Sequence, residues 1–174
     1  MPERQASRIY TDHPLFYYRR VWNQPDNLDL VVYNLNDRLN DPDVFQSRAY
    51  DLIHSRFVAP GINRNRWPSY IRDMRVLLRP GGWIHVAEYL LHIQSNSGRL
   101  TDQSAVYRWW QGYARSMTEL HRDPRIGPRL KELVDEANLQ DVQAHYIRLP
   151  IGGWLSGAYE IQSSWVRRTR HTRS

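Results

Sequence analysis

The sequence predicts an α/β fold, a parallel sheet flanked by helices, and three observations carry that expectation. An apolar run at residues 28–33 lies between turn formers, a second follows at 50–54, and a helix-patterned stretch closes on Pro80-Gly81-Gly82 just before a third run at 83–87. Strand, loop, helix, tight turn and strand in that order mark a βαβ crossover, which lays two parallel strands beneath a helix. The 174 residues suffice for one core.

Taken in order, residues 1–24 carry Tyr10, Pro14, Phe16, Tyr17 and Tyr18 ahead of Arg19-Arg20 without a clear period, and read as a short helix or a packed arm. Leu28, Leu30, Val31, Val32 and Tyr33, between Pro25-Asp26-Asn27 and Asn34, form a buried strand. Residues 36–43 read as a loop, and Tyr50-Asp51-Leu52-Ile53-His54 as a second strand. Pro68 suits a first helical turn, after which Ile71, Met74, Leu77 and Leu78 make one apolar face until Pro80-Gly81-Gly82 ends the helix. Trp83-Ile84-His85-Val86-Ala87 is the third strand.

Asp102 then caps a helix in which Val106, Trp109, Trp110, Tyr113, Met117 and Leu120 keep near-helical spacing up to Pro124. Another helix near Pro128 carries Leu130, Leu133, Val134 and Ala137 and ends at Asn138. Partial alternation of Val142, Ala144, Tyr146 and Ile147 suggests a fourth strand over 142–149. A short helix over Tyr159, Ile161 and Trp165 precedes a basic tail, so the chain divides into an arm at 1–24, an α/β domain at 25–154 and a terminal segment at 155–174.

Composition narrows the function. Zero cysteines exclude disulfides, thiolate metal sites and a cysteine nucleophile. No apolar stretch reaches 18 residues and no apolar segment follows the N-terminus, so the expectation is an intracellular protein, cytoplasmic or nuclear, with no membrane partner. The net charge of +6 is concentrated at one end: Arg167, Arg168, Arg170 and Arg173 lie in the last eight residues, and without them 20 basic residues face 18 acidic ones. Nucleic-acid contact is therefore expected only as nonspecific attraction to that tail. Seven Trp, eleven Tyr and three Phe argue for an ordered, well-packed chain.

Four segments together resemble a known family. Tyr50-Asp51-Leu52-Ile53-His54-Ser55-Arg56, then Trp67-Pro68, then Leu78-Arg79-Pro80-Gly81-Gly82-Trp83-Ile84 with Glu88, and finally Leu149-Pro150-Ile151-Gly152-Gly153-Trp154, are similar in order and spacing to the fungal LaeA-like S-adenosylmethionine-dependent methyltransferases. The resemblance covers residues 22–154 and implies a partial Rossmann-like class I methyltransferase sheet with flanking helices, S-adenosyl-L-methionine as cofactor, and a role in secondary metabolism. The chain departs from the pattern: none of its nine glycines forms the G-x-G turn that brings backbone close to such a cofactor, and Asn34, or Asn36 one step further, stands where an acidic residue is expected beside the adenine. If residues 28–33 correspond to the family's third strand, its first two strands have no counterpart. The remaining strands then either re-pair directly through a crossover at 34–49, or are completed by a second copy or another chain, or belong to an incomplete copy.

Candidate site residues follow from strand ends, where ligands of open α/β sheets gather. On the cofactor side these are Asn34 and Leu35 after the first predicted strand, and Ser55, Arg56 and Phe57 after the second. Arg56 can hold a methionyl carboxylate or a substrate anion through its planar fork, the competing reading being a surface ion pair. His54 is a candidate general base, because imidazole titrates near neutrality, or a structural histidine. Glu88 can accept or orient a hydroxyl proton, or simply end a strand. Trp109, Trp110, Tyr113 and Met117 line a pocket for a small hydrophobic metabolite or form ordinary core. No histidine or acid spacing supports a metal site.

The leading expectation is a truncated S-adenosylmethionine-dependent methyltransferase carrying out small-molecule O-methylation. Its rivals are an inactive pseudo-methyltransferase acting as a partner or regulator, and a pericyclase-like pocket that steers a cyclisation without cofactor.

Overall fold

The computed structural model describes residues 6–10, 28–90, 92–95 and 100–147. In chain order these form β1 (Ala6–Tyr10), β2 (Leu28–Val32), β3 (Tyr50–Arg56), a 3-10 turn at Arg64–Arg66, α1 (Trp67–Leu77), β4 (Leu78–Ala87), α2 (Ala105–Glu119) and α3 (Ile126–Glu136). The predicted crossover is present. β3 and β4 pair in parallel from Leu52 opposite Trp83 to Arg56 opposite Ala87, and α1 connects them.

The turn residues at the start of β4 explain its irregular register. Tyr50 pairs with Leu78 before the register shifts to Leu52 and Trp83, and Pro80-Gly81-Gly82 takes up the slack. Gly81 adopts φ +79°, a left-handed conformation that costs glycine little. At Gly82 a Cβ would lie 2.9 Å from the Tyr50 carbonyl oxygen and 3.0 Å from that of Arg79, so the close approach of the two strands requires a bare Cα.

Alternation along β3 separates a packed face from an open one. Ile53 and Ser55 turn toward α1 and the core, whereas Leu52, His54 and Arg56 point to the other, exposed face. The core lies on the first side, where Trp67, Ile71 and Met74 of α1 meet Ile84 and Val86 of β4 and Leu130 and Val134 of α3. Burying each such side chain stabilises the fold by about 1.5–3 kcal/mol, which makes this three-element contact the main source of cohesion. The apolar faces predicted for α1 and α3 are therefore both present and both buried.

Arg66 fastens the loop after β2 to α1. Its Nε donates to the Leu35 carbonyl, Nη1 to the Ser69 hydroxyl, and Nη2 to the Asp37 carbonyl and the Asp73 carboxylate, the last two at 2.6 Å. A guanidinium can satisfy all four because its donors are fixed in one plane, which a lysine ammonium cannot reproduce.

Four expectations need correcting. Residues 6–10, read as part of a helix or arm, form a strand that pairs in parallel with β2, from Ala6 opposite Leu28 to Tyr10 opposite Val32, so β2 does have a strand beside it. β2 and β3 do not re-pair directly: the described residues form two separate two-stranded ladders. Residues 142–147 form no strand; Val142 packs on the core, but alternate burial alone makes no ladder without a strand edge in register. The N-cap of α2 is Ser104 rather than Asp102, because the chain turns in through Thr101, whose amide donates to the Ser104 hydroxyl. The expected strand end at 148–149, the Leu149–Trp154 landmark and the segment 155–174 lie outside the described residues.

Candidate functional site

Just past the carboxyl ends of β3 and β4, Phe57 and Tyr89 meet aromatic side chains of α2. Immediately after β3, Phe57 takes φ +55°, an uncommon conformation for a bulky residue, so its backbone turns sharply away from the sheet. Its amide remains tied to the ladder through the Ala87 carbonyl at 2.9 Å. That turn aims the next two amides at Glu88: Val58 N–H and Ala59 N–H donate to the two carboxylate oxygens at 2.7 and 3.3 Å. Glu88 is 5% exposed, and burial raises its pKa to about 7 against the pull of those two amides. Strained backbone held this way concentrates where sites are preorganised.

A continuous aromatic shelf runs outward from this turn. Phe57 packs against Tyr89 with ring centres 5.6 Å apart; the Tyr89 and Tyr113 hydroxyls share a hydrogen bond at 2.8 Å; and Tyr113 stacks on Trp109 at 5.9 Å with ring planes 22° apart. The Arg56 guanidinium lies 4.6 Å from the Phe57 ring centre, a cation–π contact that fixes its position. Arg56 makes no ion pair among the described residues, unlike Arg66, Arg79 and Arg129.

His54 and His85 form a second feature on the face of the β3–β4 ladder turned away from α1, where His54 is exposed and His85 is buried. They are register partners, with Nδ1 atoms 2.6 Å apart, so one Nδ1 donates its proton to the other. Burial, followed by the nearby Arg56 charge, lowers the His54 pKa; burial, followed by His54 and Arg56, lowers that of His85 to about 4. Both rings are thus neutral at neutral pH and hold one proton between their Nδ1 atoms.

The structure therefore gathers some expected site residues and separates others. Arg56, Phe57, Trp109 and Tyr113 come together, and Trp110 stands beside them against His92 at 5.1 Å and Tyr107 at 5.4 Å. Met117, on the same helix, is buried. Asn34 is engaged in its own loop, its Oδ1 accepting from the Asn36 amide and its Nδ2 donating to Asp37; Leu35 is buried in the core; and the Ser55 hydroxyl is buried against the Tyr70 hydroxyl at 3.1 Å. Burial pushes the Tyr70 pKa up to about 12, so it stays protonated in that pair.

Tyr89 was missed, although it follows Glu88 at the end of the third predicted strand and the rule that selected Phe57 applies to it equally. Arg66 was missed too; its signal was Asp73, seven residues on and so two turns along the same face. Among the described residues no group of three or more His, Asp or Glu side chains could hold a metal ion, and no helix is long and apolar enough to cross a membrane.

The parallel ladder and its crossover helix give a Rossmann-like α/β fold of the class I methyltransferase kind. The trans-methyltransferase CalH, solved in complex with SAH, superposes with a TM-score of 0.52 at 17% identity over 92% of this chain and 42% of that one. In sequence, the chain is 28% identical to the methyltransferase pytC of Aspergillus terreus over 149 residues, 86% of this chain and 44% of that protein. It is 26% identical to the secondary metabolism regulator LAE1 of Cochliobolus heterostrophus over 113 residues, 64% of this chain and 36% of that protein. The resemblance to fungal methyltransferases thus holds along most of the chain, which spans less than half the length of these relatives. No family model matches the chain.

Proposed function

We propose that this chain forms the acceptor side of an S-adenosylmethionine-dependent methyltransferase-like domain acting on a small hydrophobic metabolite, with a hydroxyl oxygen as the methylated atom. The observation that carries this reading is the shelf of Phe57, Tyr89, Tyr113 and Trp109 at the strand ends, beside an arginine without an acidic partner among the described residues.

S-adenosylmethionine fits the described residues in part. Arg56 can hold a carboxylate and Phe57 can pack against an apolar group, whereas Asn34 and Ser55 are already hydrogen-bonded within the chain. Gly82 and Gly127 are filled by neighbouring backbone and offer no cradle. When bound, that cofactor supplies a methyl group on a sulfonium. The protein's contribution is placement, since transfer demands alignment of nucleophile and methyl carbon more than acid or base strength. Glu88 keeps the Phe57 turn in place, the aromatic shelf offers an apolar surface to the acceptor, and His54, two residues before Arg56 on the same strand face, is the candidate to receive the hydroxyl proton through the ring nitrogen not bonded to His85.

Calorimetric titration of the folded full chain with S-adenosylhomocysteine tests this reading. Saturable uptake near one per chain is expected, and Arg56→Ala should weaken it by about tenfold, the order of one charge-assisted hydrogen bond. A folded chain that takes up none overturns the reading. The two-ladder arrangement favours one further outcome: uptake confined to a dimer or larger species would support completion of the sheet by a second chain.

A further inference from the structure

We propose that the aromatic shelf is a binding site for a planar aromatic hydroxyl compound, its ring lying on Trp109 and its hydroxyl joining the Tyr89–Tyr113 pair. This deepens the reading of the strand ends as an acceptor site, and rests on it, by naming the chemistry that the acceptor would carry.

Trp109 supplies the stacking surface. It is 57% exposed although it lies on the apolar face of α2, and its ring is held nearly parallel to that of Tyr113. An indole fixed in this way presents a flat apolar surface to solvent, and offset stacking of a second flat ring is the arrangement that aromatic quadrupoles favour. Phe57 and Leu90 extend the exposed apolar surface at the strand ends, both being more than a third exposed.

The tyrosine pair supplies the polar handle. One hydroxyl donates to the other at 2.8 Å, which leaves the second O–H free to donate outward while the two oxygens keep lone pairs to accept. A ligand hydroxyl both donates and accepts, so it can close a three-membered chain that a carbonyl or an ether can only half complete. Burial and the Tyr113 contact raise the Tyr89 pKa, so Tyr89 keeps its proton for the pair. No described acid forms a hydrogen bond with either tyrosine hydroxyl, so a neutral phenol meets no anion in the pair.

Equilibrium dialysis of the full chain against 2-naphthol, with naphthalene as the ring without the hydroxyl, tests the site. We expect saturable 2-naphthol binding near one per chain, with naphthalene about fivefold weaker, the order of one neutral hydrogen bond. Tyr113→Phe keeps the ring and should lower 2-naphthol affinity about fivefold while leaving naphthalene unchanged, whereas Trp109→Ala should weaken both by about threefold to tenfold. Leu120→Ser, at an exposed apolar residue just past the end of α2, serves as the control and should change neither. Non-saturable uptake, or 2-naphthol binding indifferent to both Tyr113→Phe and Trp109→Ala, overturns the proposal. The two readings fail separately. Shelf binding without S-adenosylhomocysteine uptake removes the cofactor and keeps the shelf; uptake with an indifferent shelf does the reverse.

Discussion

Helices α1 and α2 both carry an apolar stripe at helical spacing, and the fold treats them in opposite ways. On α1, Trp67, Tyr70, Ile71, Met74 and Leu77 are all buried beneath α3 and β4. On α2 only Met117 is buried, while Val106 and Trp109 remain exposed and Tyr113 is half-buried. Periodicity therefore records that a helix has an apolar face, and says nothing about what covers it. The difference lies in what stands opposite each stripe. The α1 stripe packs against α3 and β4, whereas on α2 the Trp109 and Tyr113 rings stack on one another and leave a surface outside.

The sharpest way to break this comparison is to truncate one residue from each stripe. Ile71→Ala, at a position with 0% exposure, should cost about 2–5 kcal/mol through lost burial and the cavity left behind, whereas Trp109→Ala should cost under about 1 kcal/mol. Urea unfolding midpoints measure both, and equal losses would mean that the α2 stripe is covered in solution.

Titration offers the next largest effect. Glu88 in the fold titrates near 7, above its ordinary 4.5, so between those values the native state holds a proton that the unfolded chain has lost. Its contribution to stability is therefore present below about pH 4.5 and is lost, to the extent of about 3 kcal/mol, as pH rises through 7. His85 acts with the opposite sign. Its folded pKa is near 4, below the ordinary 6.5, so its contribution is present above pH 6.5 and is lost as pH falls toward 4. Between pH 4.5 and 6.5 the two slopes oppose each other. Glu88→Gln should leave stability rising with pH across that window, and His85→Asn should leave it falling, when unfolding is followed by circular dichroism at a series of pH values. Unchanged profiles would mean that neither group is held as the geometry implies.

The smallest effect is a gain. Gly112 lies inside α2, and a Cβ there would meet nothing within 4 Å, so Gly112→Ala should stabilise the protein by about 0.5–1 kcal/mol. Gly82→Ala should instead destabilise it, because Tyr50 and Arg79 backbone carbonyls stand in the way. Thermal melting of the two variants separates a glycine that packing requires from one that it does not.

How much of this was legible in the sequence depended on the range of the interaction. The β3–α1–β4 unit was readable because local signals agreed: Pro68 opening a helix, Pro80-Gly81-Gly82 closing it, and apolar runs on either side. The strand at 6–10 and the missing ladder at 142–147 were not, since pairing depends on an edge elsewhere in the chain. In the site, Arg56 and Phe57 were found from their place at a strand end. The internal engagement of Asn34 and Ser55 was invisible, because it depends on Asn36 and Tyr70 being brought alongside by the fold. Tyr89 and Trp109 were each visible as residues, and only their union through Tyr113 is structural.

The short span of the β3–α1–β4 crossover has a kinetic consequence. Its contacts close over one helix, so little loop entropy opposes their formation, and this unit can assemble while the chain is still being made. The shelf needs Trp109 and Tyr113 to arrive from α2 well after Phe57 and Tyr89 are in place. The exposed face of α2 is thus the more readily opened part of the described chain, and amide protons of α2 should exchange with solvent through local opening while those of α1, buried against α3 and β4, wait for global unfolding.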